Sequence, residues 1–216
     1  MVRGESLARR IRQPASAAIA GIVFAIILTV VIVMLRSAVP VIGPDAGSWA
    51  DDPGRRGSVD LALGLIPFAG IAFLWFIGVI RAQVGASEDR FVGTVFLGSG
   101  ILFVAMLFAA AASLMAVLSL QQAGVDMPVE ARAWAWALGS TLLGVFGVKM
   151  AAVFVATVAT VGRRSGALPP WLPVSGYVTA ILLVLTPPLP SVVQFLFPAW
   201  VLALSGFLLT GRQGRG

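Results

Sequence analysis

Uncharged stretches far longer than a water-facing fold tolerates decide what this chain can become. No charged residue occurs from Ser165 to Gly211 (47 positions), from Phe91 to Val125 (35 positions) or from Gln13 to Leu35 (23 positions). A helix needs about 20 apolar residues to cross a ~30 Å hydrocarbon core, so these runs read as membrane spans. Charged residues make up 11% of the 216, against about 25% in soluble domains, too few to clothe a surface in water. The expected fold is all-α, a single polytopic membrane domain over residues 1–216, with the lipid bilayer as its first partner.

Punctuation divides the apolar runs into six transmembrane helices. Arg36 closes the first run, which is longer than the roughly 7–15-residue core of a signal peptide, so an uncleaved helix is expected over about 15–35. Residues 37–57 are dense in Gly and Pro and carry Asp45, Asp51, Asp52, Arg55 and Arg56. They read as a solvated loop with self-compensating charges. Ser58 suits an N-cap and Asp60 a first turn, which opens a second helix over 59–80, with a kink expected at Pro67.

Ser87-Glu88-Asp89-Arg90 repeats that capping pattern ahead of a third helix over 90–120. That helix is longer than the bilayer core requires, so it must tilt, bend near Gly98-Ser99-Gly100, or project beyond the bilayer. Trp134 and Trp136 begin a fourth helix over 133–162 at the level of an aromatic belt, and Arg163-Arg164 ends it. Pro187-Pro188-Leu189-Pro190 splits the last run into helices over 171–186 and 191–210, the latter kinked at Pro198.

Arginine placement orients the bundle. With the N-terminus in the cytoplasm, Arg3, Arg9, Arg10, Arg12, Arg81, Arg90, Arg163, Arg164, Arg212 and Arg215 share one side. Arg36, Arg55, Arg56 and Arg132 fall on the other, with six of the nine acids. The positive-inside rule then puts both termini in the cytoplasm. The preference for Arg over Lys, with abundant Ala and Gly, suggests a GC-rich bacterial genome, and the expected location is a bacterial plasma membrane, multi-pass. The +6 net charge follows from this orientation; no basic, aromatic-interleaved face of the kind that binds nucleic acid is present.

Lys149 is the one lysine of the chain and lies near the middle of the fourth apolar run. A charge at mid-bilayer costs about 2.5–3.5 kcal/mol on insertion scales. That cost must be offset by a partner or water, or avoided by loss of the proton. Gln194, about one turn into the last helix, could hydrogen-bond it, as could Ser140, Thr141, Tyr177 or backbone freed by Pro198. Asp60 would pair only if the lysine reached toward the helix end. Lys149, Gln194 and Asp60 are therefore the candidate binding or gating residues, and snorkelling of Lys149 to the interface is the structural alternative.

Cysteine and histidine are both absent, which excludes disulfides, thiolate zinc sites, His- or Cys-ligated haem, iron–sulfur clusters and a Ser-His-Asp triad. No mid-membrane pair of aspartates exists for an aspartyl dyad. No enzyme activity, no cofactor and no metal site is expected. Small residues four apart, Gly147 with Ala151 and Ala152 with Ala156, and the Ala109–Ala112 run, suit close helix packing or an oligomer interface.

Val23-Phe24-Ala25-Ile26, Leu102-Phe103-Val104-Ala105 and the late proline-rich hairpin resemble, in content and order, the six-helix potassium channels of bacterial membranes and lysosomes. That family carries Arg-x-x-x-Phe-Ser-Asp in its first helix; here the Phe-Ser-Asp positions fall on Ile19, Ala20 and Gly21, with no arginine at the required spacing. The resemblance therefore implies six helices and transfers no pore residue. The chain also looks like small uncharacterised integral membrane proteins of actinobacteria, a resemblance that implies no activity. The function expected is a small channel- or transporter-like conduit for an ion or small solute, working as a homo-oligomer. The alternative is a non-catalytic accessory or scaffold subunit of a larger membrane complex, in which Lys149 meets a partner's acid.

Overall fold

A computed structural model describes residues 2–39, 44–84, 90–185 and 192–210, with side chains in 16–39, 46–81, 91–185 and 192–210. The described residues form six helical rods and two short 3₁₀ segments. Rod one is α1, Val2–Ala38; a 3₁₀ segment follows at Pro44–Ala50. Then come α2, Pro53–Val84, and α3, Arg90–Gln122. The fourth rod is continuous but composite: α4, Val129–Thr141, a π-helical stretch Leu142–Gly147, and α5, Val148–Arg164. The last two are α6, Trp171–Leu185, and α7, Leu196–Thr210, led by a 3₁₀ turn at Val192–Phe195.

Five of these rods are long and apolar enough to cross a membrane: Ser16–Ala38, Pro53–Arg81, Phe91–Gln122, Val129–Arg164 and Val192–Thr210. The sixth, expected over 171–186, is α6, whose 15 described residues Trp171–Leu185 rise about 22 Å and fall below that length among the described residues. In the sequence it lies between Pro170 and the Pro187-Pro188 pair, and residues preceding proline disfavour the α conformation. The proline-rich hairpin itself and the Ser87-Glu88-Asp89 cap lie outside the described residues.

Helix ends follow local chemistry, though not always the expected residues. The second helix starts at Pro53 instead of near 59, because Asp52 caps it. Asp52 Oδ1 accepts hydrogen bonds from the amides of Gly54 (2.8 Å) and Arg55 (3.1 Å), with proline in the first helical position, where its missing N–H costs nothing. Ser58 is not the cap; its hydroxyl donates back to the Gly54 carbonyl at 3.1 Å. α3 runs unbroken through Gly98-Ser99-Gly100 and ends in a Schellman turn, in which Gly124 (φ 77°) takes the left-handed conformation that glycine adopts without strain. Pro198 falls in the first turn of α7, where proline is tolerated.

α1 packs along α2 and α7, and α5 along α6 and α3. The centre is filled by phenylalanines: Phe24 from α1, Phe73 and Phe76 from α2, Phe96 and Phe103 from α3, Phe154 from α5 and Phe197 from α7. Their ring centroids are as close as 4.4 Å (Phe24–Phe73), 4.9 Å (Phe103–Phe197) and 5.0 Å (Phe73–Phe154). Lipid tails are as apolar as these rings, so helix association gains little from the hydrophobic effect and depends on close packing; tilted and edge-on ring pairs each add about 0.5–1.5 kcal/mol. Small residues set the distances: a Cβ on Gly176 would sit 3.0 Å from the Cβ of Ala159, at the crossing of α6 and α5. Ile26, Phe68, Trp75, Ile101 and Ile181 point outward and are exposed, the face a bilayer would solvate.

Residues 44–50 are not the solvated loop expected. Trp49 is fully buried, and Ala46 and Ala50 are buried beside it, against the start of α4. Gly47 permits this, since a Cβ there would meet the Val129 carbonyl oxygen at 2.3 Å. The segment is fastened by an ion pair in which both terminal nitrogens of Arg132 donate to the carboxylate of Asp51, Nη2 to Oδ2 at 3.0 Å. Arg132 had marked only the edge of an apolar run in the sequence; its side chain is 8% exposed, that of Asp51 61%.

Candidate functional site

The π-helical stretch gives Lys149 its direction. One extra residue in a helical turn rotates every later side chain by about 100°, and π-bulges are frequent at functional sites. Gly144 and Gly147 within the stretch are buried, and a Cβ on Gly147 would come within 3.5 Å of Met106 in α3, so the bulge is pressed between its neighbours. Two residues beyond it, Lys149 is half-buried and faces α6 rather than running to an interface. Its ammonium donates to the carbonyl oxygens of Leu183 (2.9 Å) and Val184 (2.5 Å).

Those carbonyls belong to the last turn of α6. The final four carbonyls of a helix have no partner within it and carry the negative end of the helix dipole. Pro187 and Pro188, four residues on from Leu183 and Val184, carry no N–H, so in hydrocarbon each of these carbonyls left unsatisfied would cost several kcal/mol. Lys149 and the last turn of α6 answer each other: the ammonium meets two carbonyls whose i+4 positions are prolines, with no N–H to donate. The expected side-chain partners are engaged elsewhere. The Tyr177 hydroxyl bonds Thr160 (3.0 Å), and Ser140 donates to the Ala137 carbonyl (3.0 Å).

Gln194 instead lines two cavities. The larger, about 80 Å³, is bounded by α1, α2, α3, α4 and the π stretch, with Arg36, Ser140 and Gln194 as polar residues among Ile32, Leu107, Trp136 and Leu143. The smaller, about 30 Å³, shares Ile32, Leu143 and Gln194 with it and ends on Phe103, Phe197 and Leu183. At about 10–15 Å³ per water, the larger has room for several waters or one small solute. Arg36 lies over the Phe195 ring, 5.2 Å from its centroid.

Asp60 is at neither place. It is exposed and lines a separate groove of about 400 Å³ with Arg56, Gln121 and Gln122, at the Pro53 end of α2. Among the described residues no group of three or more acids could hold a metal ion.

The apolar helices are compatible with an integral membrane protein, an all-helical bundle with a half-buried lysine and two small adjoining cavities. No protein-family model, curated protein or solved structure matches the chain.

Proposed function

We propose that the chain is a carrier-type transport protein of the plasma membrane for a small solute with an apolar body and an anionic or hydrogen-bond-accepting head. The observation that carries this reading is the pair of adjoining cavities that share Gln194, with Arg36 and Ser140 on the wall of the larger. Arg36 supplies charge, Gln194 and Ser140 supply directed hydrogen bonds, and the apolar wall takes the body, the usual composition of a small-molecule site. The seven packed phenylalanines favour alternating access over an open pore: passage requires the Phe103–Phe197 contact, 4.9 Å between centroids, to part. Both termini are taken as cytoplasmic from the arginine distribution, which directs the larger cavity outward.

The second reading, a non-catalytic accessory subunit, draws support from the same closed centre. Reconstitution separates the two. Purified protein in proteoliposomes is given gradients of K⁺, Na⁺, H⁺, Cl⁻ and small carboxylates, beside Gln194→Leu. Saturable flux of one solute, reduced at least tenfold by Gln194→Leu, supports the carrier. If wild-type protein dissipates no gradient and one unrelated chain co-purifies with it from the membrane, transport is the wrong reading.

A further inference from the structure

We propose that the C-terminal end of α6 is a monovalent-cation site that the chain fills with its own lysine, so that the Lys149 ammonium holds the place of a bound Na⁺ or K⁺. Three observations converge. First, the residues four positions on from Leu183 and Val184 are Pro187 and Pro188, which have no N–H to donate, so these two α6 carbonyls lack their usual helical donors on the side packed against α5. Second, the Leu183 and Val184 carbonyl oxygens converge on a single cationic atom at 2.9 and 2.5 Å. Converging carbonyls at the negative end of a broken helix are the arrangement that coordinates alkali cations in membrane transporters. Third, Leu183 also lines the smaller cavity, so the site adjoins a space able to admit water, which would complete an alkali ion's coordination.

A lysine bonded only to keep itself out of hydrocarbon would be served by any acceptor. This one is aimed, just beyond the π stretch, at two α6 carbonyls whose i+4 residues are Pro187 and Pro188 and supply no amide. The tether has a mechanical meaning. With the ammonium in place α5 and α6 are locked together; with the carbonyls vacated the end of α6 is free to move beside the smaller cavity. The inference concerns the α6 terminus and holds whether or not the chain carries a solute.

The test uses thermal unfolding of the full chain in nanodiscs, in LiCl, NaCl, KCl and choline chloride at one ionic strength. Wild-type protein should unfold at the same temperature in all four. Lys149→Met, which keeps the aliphatic stem, should unfold lower in choline and recover selectively in one or more alkali chlorides. A cation present at ten times its Kd lowers the apparent unfolding constant about elevenfold. The chain has no cysteine, so Lys149→Cys provides one thiol. Alkylation with 2-bromoethylamine, in which the thiolate displaces bromide, rebuilds an ammonium at lysine length; it should restore stability and erase the cation dependence. Equal unfolding of Lys149→Met in all four salts overturns the proposal. So does failure of both variants to fold in every salt, because a small cation then does not replace the ammonium.

Discussion

Replacing Asp51 by Ala should loosen residues 44–50 far more than replacing Arg132 by Met, although each change removes the same ion pair. The asymmetry follows from exposure: the Arg132 side chain is 8% exposed and that of Asp51 61%. Asp51→Ala leaves a guanidinium under the segment without its carboxylate. A buried charge stripped of its partner costs about 3–5 kcal/mol; with Asp51 open to water, hydration recovers part of this and leaves about 2–3 kcal/mol. Arg132→Met keeps much of the packed stem and releases a carboxylate already facing solvent, so its cost is that of an exposed pair, about 0–1 kcal/mol. The difference of about 2 kcal/mol is roughly thirtyfold in the equilibrium for opening the segment. Ala46, 8% exposed, reports on that opening when changed to cysteine in this cysteine-free chain. Maleimide should label it about thirtyfold faster with Asp51→Ala than with Arg132→Met, and the double variant should label at the slower rate. Equal rates, or the reverse order, would refute the reasoning.

Gly21→Ala should destabilise the α1–α7 contact by about 1–3 kcal/mol, the range for overpacking, because the new Cβ would lie 2.1 Å from Ser205 Oγ and 2.9 Å from the Phe76 ring; unfolding in detergent mixtures measures it, and adding Ser205→Ala should recover part. Phe73, fully buried and in ring contact with Phe24, Phe76, Phe103, Phe154 and Phe197, should cost about 3 kcal/mol as Ala, the low end for such changes because the unfolded helices still sit in lipid. Hydrogen bonds from the Arg55 and Gly54 amides hold the Asp52 carboxyl below its ordinary value of 3.8. Its support for the first turn of α2 is therefore complete above about pH 3.8 and lost as pH falls through the lower folded value; amide exchange at Gly54 and Arg55 should speed up over that window, and Asp52→Asn should remove the dependence.

The helices were legible because lipid demands long apolar runs, and arginines mark their ends. Lys149 was legible as an anomaly: one cation in a run of neutral residues needs a reason. Its partner was not, since a search among side chains for acids or amides overlooks backbone carbonyls. The signal was present in Pro187 and Pro188, which stand four residues after Leu183 and Val184 and offer their carbonyls no amide. The pairing of Asp51 with Arg132 joins residues 81 positions apart, and neither pattern nor propensity reaches across that distance. The burial of Trp49 was hidden for the opposite reason: Gly, Pro and Asp density reads as solvent, while Gly47 in fact lets the segment lie flat on α4. The π stretch leaves no compositional mark beyond its glycines.

The phenylalanine centre draws on five helices and includes Phe197, and α7 lies against α1. Since α1 leaves the ribosome well before α7, it finds one of its two principal neighbours only after α7 has been made. Until then the groove at Gly21 faces lipid and the aromatic centre stays open on one side. Biogenesis of this bundle is a race between synthesis of α7 and the quality control that patrols half-finished membrane chains.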